Sequence, residues 1–189
     1  MILKIANLIA LLLAEAWLVS SPDWEPAILF IGFLSSLIIQ EVKDKTVTNQ
    51  SNTHDKELFT KFLNDLPSGE GSIDFLRDHD FHNSFKLAKL DQLRDFARNW
   101  DNAEFEFLNK ELEKARQDLL QTIFQFIDVS SHHTFPERDG WQTSIPNYTD
   151  NGEIPQRAKE SIKKMNDLGD NIFAMHQTLI RLGKQQLNI

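Results

Sequence analysis

Residues Ile5 to Val19 read IANLIALLLAEAWLV and residues Ala27 to Ile39 read AILFIGFLSSLII, with only Ser20 to Pro26 between them. Two apolar segments sharing one tight connection specify a helical hairpin. A helix crossing roughly 30 Å of hydrocarbon needs about 20 residues at about 1.5 Å each. The second segment approaches the lower limit of that length only when counted from Trp24 to Glu41, so the expectation is a transmembrane hairpin in a locally thinned bilayer. Trp17 and Trp24 fall at the depth of an interfacial aromatic belt. In the connection, Pro22 stops the first helix, Asp23 offers a carboxylate to free backbone N–H groups, and Pro26 suits the first turn of the next helix.

Orientation follows from the flanks. Lys4 precedes the first segment and Lys43 and Lys45 follow the second, while the turn SSPDWEP carries Asp23 and Glu25 and no base. Positive charge stays on the cytoplasmic side, so both ends are expected there, with the protein in the inner membrane. Two other readings of the same residues stay open. Lys4, the apolar run to Ala14 and the triplet Ala14-Glu15-Ala16 also describe a secretory signal, and apolar runs of this length also describe a buried pair of core helices. Glu15 is the one ionisable residue inside the first run, about 7 Å from the turn. It snorkels to the interface, pairs across an oligomer, or has a functional role. Gly32, Ser35 and Ser36 form a small-residue stripe that permits close helix packing within or between protomers, so a homo-oligomer is expected.

The chain of 189 residues has room for one soluble domain besides such an anchor. A net charge of −8 disfavours a surface that tracks phosphate backbones. There is no cysteine, which excludes disulfides, thiolate metal sites and a thiol nucleophile. The expected division is a hairpin over 1–45, a polar tether over 46–54 (TVTNQSNTH), and a cytoplasmic helical domain over 55–189. Within that domain, Leu58, Phe59, Phe62, Leu63 and Leu66 share a helical face that ends at Pro67-Ser68-Gly69. A short helix follows from Ser72 to about Asp80. The spacing of Phe85, Leu87, Leu90, Leu93, Phe96, Ala97 and Trp100 predicts an amphipathic helix over 85–100. Asp101 or Asn102 is then expected to cap a helix over 102–129, and another runs over 155–185 from Pro155; the two should pack antiparallel. Residues 130–154 lack periodicity, and such a stretch in a compact domain is often functional. The fold class expected is all-α, a two-helix transmembrane hairpin followed by a helical bundle.

The string Asp78-His79-Asp80-Phe81-His82 is the most metal-like in the chain, with His132-His133 as further imidazoles. Three or four convergent donors are needed, and no H-E-x-x-H pattern or second carboxylate motif accompanies them. No metal, cofactor or catalytic group is expected. Gly-rich phosphate loops and G-x-S-x-G elbows are absent, and no enzyme or small-molecule substrate is expected. His79, His82, Trp100, His133, Phe135 and Trp141 are the candidate partner-binding residues, set against a plain core role for Trp100, Phe135, Trp141 and Phe81. The hairpin candidates are Glu15, Trp17, Asp23, Trp24, Glu25, Pro26 and Gly32, facing membrane lipids.

Ser21-Pro22-Asp23-Trp24-Glu25-Pro26 followed by AILFIGFLSSLI resembles the amino-terminal hairpin of two-transmembrane effectors from bacterial anti-phage defence loci, both retron-associated and cyclic-oligonucleotide types. The likeness is firmest over residues 8–42. The string Asp78 to Trp100, with His133-Thr134-Phe135-Pro136, is similar to soluble domains carried by such anchors. The resemblance implies an effector held silent until infection, whose membrane segments then permeabilise the inner membrane. The chain departs from cyclic-nucleotide effectors in offering no run of alternating strands and little basic surface. Control by a protein partner, such as a reverse transcriptase with its nucleic acid, is therefore the expectation. The alternative is a non-toxic membrane-tethered adaptor that concentrates a binding module at the cytoplasmic face.

Overall fold

The computed structural model describes residues 2–20, 24–146 and 153–189 and, within them, the side chains of all but residues 2–4, 26 and 44–51. Six α-helices dominate these residues: α1 (Ile2–Ser20), α2 (Trp24–Asp65), α3 (Gly71–Asp78), α4 (Asp91–Trp100), α5 (Lys110–His133) and α6 (Gln156–Leu187). The chain divides into two compact units, Met1–Ser51 and Asn52–Ile189, and α2 contributes to both.

The first unit is a pair of helices. Asn7 Nδ2 donates to Ser36 Oγ at 3.2 Å, tying the start of α1 to the middle of the first half of α2. Ala14 is buried, and Asn7, Ala10, Leu11 and Leu18 on α1 and Ala27, Phe30, Phe33 and Leu37 on α2 are half-buried. Their spacing of three and four traces one narrow seam on each helix. Residues 46–54, expected as a tether, are helical. Between Gly32 and Pro67 the sequence offers neither glycine nor proline, so weak helix formers such as Thr and Asn cost only tenths of a kcal/mol each and nothing stops the helix before Pro67. Among the described residues no helix is long and apolar enough to cross a membrane.

The second unit is built on α5 and α6. Glu111 accepts a hydrogen bond from Gln186 Nε2 at 2.7 Å, and Thr122 Oγ1 approaches Met175 Sδ at 3.3 Å, so the two helices run antiparallel as their periodicity predicts. The end of α2 enters the same core through Phe59, Phe62 and Leu66, all essentially buried. Phe62 meets the edges of Phe96 and Trp100 at 5.8 and 5.7 Å, an arrangement that aromatic quadrupoles favour.

Three sequence expectations are corrected in this unit. The fold is mostly helical but not purely so. β1 (Phe85–Lys86), β2 (Phe135–Pro136) and β3 (Trp141–Thr143) form a small antiparallel sheet in the order β1-β3-β2, with Phe85 opposite Gln142 and Phe135 opposite Thr143. The turn joining β2 to β3 places Asp139 and Gly140 at φ 58° and 77°, and Glu137 N–H closes it on the Trp141 carbonyl at 2.8 Å. Secondly, Phe85 belongs to that sheet rather than to a helix over 85–100. A 3₁₀ turn over Leu87–Leu90 follows, and α4 begins at Asp91. A pattern of seven apolar residues fits either course, and pairing with the distant strand β3 decides it.

Thirdly, α5 begins at Lys110, not at 102. Asn102 caps only the 3₁₀ turn Ala103–Phe105, accepting from Glu104 N at 3.1 Å, while Asn109 caps α5 by accepting from Glu111 and Leu112 N at 2.9 and 3.2 Å. The backbone between them is held open by two carboxylates, one distant and one in the first turn of α5. Buried Asp55 accepts from Leu108 and Asn109 N, both at 2.8 Å, and Glu113 accepts from Phe107 N at 2.9 Å. Arg116, 4 % exposed, is clasped by Glu113 through Nε at 2.8 Å and also donates to the Trp100 carbonyl. The bonds from Asp55 reach across more than fifty residues, which is why periodicity alone misplaces the helix start.

Candidate functional site

Two surfaces draw together the sequence candidates, one on each unit. On the hairpin, large apolar side chains point outward along both helices. Among the described residues, fifteen exposed large hydrophobic residues lie between Ile5 and Val42, against five elsewhere: Leu108, Phe124, Phe135, Trp141 and Ile189. Soluble proteins seldom expose contiguous apolar area on this scale without a partner or a membrane to cover it. Ala and Leu, strong helix formers, dominate α1, whereas the first half of α2 is rich in Ile, Phe and Ser and relies more on packing against its neighbour. The surface stays apolar because the two seams are too narrow to take more than one residue in three or four.

Trp17 and Trp24 sit on this surface, 46 % and 72 % exposed. Glu15 is exposed on α1, and Glu25 is exposed in the first turn of α2, where a carboxylate favours the helix dipole. Gly32 is exposed, and a Cβ there would meet nothing within 4 Å. Asp23 and the side chain of Pro26 lie outside the described residues. Asn7 and Ser36 were not legible as a pair, because their meeting depends on the register of the hairpin.

On the second unit the candidates separate. Trp100 is corrected from partner surface to core. It is fully buried, stacks on Phe96 and Phe105 at 5.1 Å each, and satisfies its indole by donating to Asp65 Oδ2 at 2.9 Å. Phe81 is likewise fully buried. His79 caps the end of α3 and lies among Phe75, Phe81 and Phe85 at ring distances of 4.5, 5.0 and 5.6 Å. Its Nε2 is buried without a hydrogen-bond partner among the described residues. Burial pushes this imidazole below its ordinary value of 6.5, against a partial offset from the Asn83 backbone and Asp80. His82 is exposed, and its backbone N donates to Asp80 Oδ1 at 2.9 Å. Asp80 in turn accepts from Asn166 Nδ2 at 2.8 Å, fastening this turn to α6. No group of three or more potential ligands converges among the described residues.

Phe135 and Trp141 remain on the surface, 41 % and 39 % exposed, on adjacent strands of the sheet. The Lys86 ammonium stands 5.8 Å from the Trp141 ring centre. His133 closes α5 immediately before β2 and lines a cavity with His132, Phe135, Ser144, Arg157 and others. Ser144 and Arg157 carried no signal in the sequence, since only the tertiary fold brings them to one cavity with His133. The two surfaces therefore consist of an apolar girdle on the hairpin and an aromatic and imidazole group around β2. No protein family, curated protein or solved structure matches the chain.

Proposed function

We propose that the chain is a membrane-perturbing effector of a bacterial anti-phage system, with its hairpin in the inner membrane and both ends on the cytoplasmic side. Its helical domain is held by a protein partner until release. The observation that carries the membrane half of this reading is the girdle of exposed apolar side chains between Ile5 and Val42. At about half exposure each, moving fifteen such side chains out of water is worth on the order of 15 kcal/mol, at about 1 kcal/mol each. Burying Glu15 opposes this by about 3 kcal/mol on translocon-insertion scales, less if it snorkels.

Length bears against a full crossing, since no described helix is long and apolar enough by itself. Taken whole, the 19 residues of α1 rise about 28 Å. A shortfall of a few ångströms costs fractions of a kcal/mol per ångström, and bilayer thinning or helix association meets it. Defence as the setting, and a partner as the restraint, rest on the resemblance of residues 8–42 and on the surface group at His133, Phe135 and Trp141.

A second reading, a passive membrane-tethered adaptor, is favoured by the Asn7 to Ser36 hydrogen bond. It satisfies a polar pair inside the seam and leaves the outer faces apolar, as an anchor requires. Membrane potential separates the two. It would be recorded in bacteria expressing the full chain, a chain lacking residues 1–45, and Glu15→Ala, matched for expression. Depolarisation confined to the hairpin-bearing chains is the expected result. Depolarisation by the truncated chain would sink the effector reading, and an inert full chain, even beside its neighbouring genes, would favour the adaptor.

A further inference from the structure

A groove of about 610 Å³ runs along α5 on the side where α4 ends and the chain turns back. Its apolar part is Leu120 and, one turn further on, Phe124, which is 41 % exposed. Phe124 falls outside the period of Leu112, Leu119, Ile123 and Phe126, whose side chains are fully buried, so its ring faces outward from the helix that carries them. A single exposed apolar side chain is ordinary. The case for a docked partner rests on the charge and the hydrogen-bonding groups that surround it.

The other end of the groove is acidic. Asp101, which closes α4, and Glu106 line it, and neither forms an ion pair among the described residues. Asp101 also stands at the negative end of the α4 dipole. Arg116 is the cation in this wall, but it is 4 % exposed and already held by Glu113 and the Trp100 carbonyl. A cationic group therefore meets uncompensated negative charge here, whereas an anionic lipid surface, or a second copy of a chain with net charge −8, is repelled. Gln117, Gln121 and Gln125 line the groove at four-residue intervals along α5. Gln117 Nε2 donates to Glu113 Oε1 at 2.6 Å, while Gln121 and Gln125 are exposed and make no hydrogen bond among the described residues. Their free amides suit the main-chain N–H and C=O groups of an extended segment, which a helix would already have satisfied internally.

We propose that this groove binds an extended peptide segment of a protein partner, with a lysine or arginine facing Asp101 and Glu106 and a large apolar residue laid on Phe124 and Leu120. Arg116 marks the acidic end through its bond to Trp100, and Phe124 lies eight helical residues beyond it, a rise of about 12 Å. An extended chain advances about 3.3 Å per residue, so the two anchors stand four positions apart and point to the same side. The assignment gives a surface and a chemistry to the partner invoked above and rests on that reading for its biological role. Peptide binding is measured apart from membrane potential, so either reading can fail without the other.

Random twelve-residue peptides displayed on phage would be panned on the full chain in neutral-lipid nanodiscs, with empty discs and discs carrying Phe124→Asp as counter-selections. The expected consensus has a lysine or arginine four positions from a large apolar residue. A labelled synthetic peptide of that consensus is then titrated by fluorescence anisotropy. Phe124→Ala and Glu106→Lys should each weaken its binding by about tenfold and Asp101→Asn by about threefold. Asp170→Asn, at an exposed acid on α6, should leave it unchanged. All four side chains are exposed, and thermal melts verify that each variant folds. No enrichment beyond the counter-selections overturns the assignment, as does an acidic or uncharged consensus. Equal weakening by Asp170→Asn overturns it too, by indicating general charge attraction. Pairing of full chains that Phe124→Asp abolishes, without peptide binding, overturns it in favour of a second copy.

Discussion

Gly183→Ala tests the packing of α6 on the end of α2 with two opposed effects of known size. Within a helix, replacing glycine by alanine gains about 1 kcal/mol in backbone entropy and propensity. At position 183 the added Cβ would lie 2.5 Å from both Cδ2 and Cζ of Phe59 and closer still to Cε2. Phe59 is 1 % exposed and stacked on Phe62 at 6.2 Å, so its ring has nowhere to retreat. Overpacking of this kind costs about 1–3 kcal/mol, and a clash with the body of an enclosed ring belongs at or above the upper end. A net loss of about 2 kcal/mol is expected, or a fall in Tm of about 4–8 °C for a chain of this size. Gly169 on the same helix provides the control, because a Cβ there meets Leu76 Cδ2 and O at an ordinary 3.6 Å. Gly169→Ala should therefore raise Tm by about 1–4 °C, the propensity gain alone. Thermal melts of the full chain followed by circular dichroism, in one detergent, give both values. If Gly183→Ala is as stable as Gly169→Ala, glycine is not there to admit Phe59 and the reasoning fails.

Asp55→Ala should cost about 2–3 kcal/mol by leaving the Leu108 and Asn109 amides unpaired, and hydrogen exchange should show both losing protection before the rest of α5 does. Acidification should lower stability in two separate stages. Burial pushes His176 below its ordinary 6.5, with a partial offset from the Leu66 carbonyl, and His79 shifts the same way. The unfolded chain therefore takes up these protons first. Stability should be level above about pH 6.5 and fall as pH drops below it, until the folded imidazoles themselves titrate. Burial raises the carboxyl of Glu113, but bonds from Arg116, the Phe107 amide and Gln117 outweigh it and hold Glu113 below its ordinary 4.5, so its contribution is lost only at lower pH. A Tm that climbs between pH 6.5 and 5 would contradict the buried imidazoles. Ser144→Ala should leave stability unchanged or raise it by up to about 1 kcal/mol, because the hydroxyl it removes has no partner among the described residues; a loss above about 1 kcal/mol in urea titrations would contradict this.

The elements legible in the sequence are those whose signals are local. Pro67 ends α2, Pro155 precedes α6, and the apolar face from Leu112 to Phe126 falls on α5, because each depends on a breaker or a period within one segment. What the sequence hid depends on partners far along the chain. Asp55 delays the start of α5 from more than fifty residues away, and β3 draws Phe85 out of a helical pattern that local spacing satisfies equally well. The unpatterned stretch after Ser130 conceals the sheet because its strands are two or three residues long, too short for alternation to register. Surface candidates fared according to burial. His133 and Phe135 line one cavity and Trp141 lies on the neighbouring strand, whereas Trp100 is spent on the core through a tertiary bond to Asp65 that no spacing rule announces. The apolar girdle was readable because hydrophobicity over two long runs needs no partner to be recognised.

The absence of cysteine makes single-cysteine labelling the most direct test of the membrane reading. Ser20→Cys near the hairpin turn, Leu13→Cys on its exposed apolar face and Thr60→Cys on the second half of α2 would each be treated with a membrane-impermeant maleimide. Cells with a permeabilised outer membrane would be compared with the same cells after lysis. Insertion with both ends inside predicts that Ser20→Cys reacts in intact cells, Thr60→Cys reacts only after lysis, and Leu13→Cys reacts in neither until detergent is added. Rapid reaction of Leu13→Cys in a detergent-free lysate, with the chain in the soluble fraction, would show that the girdle is covered by something other than lipid.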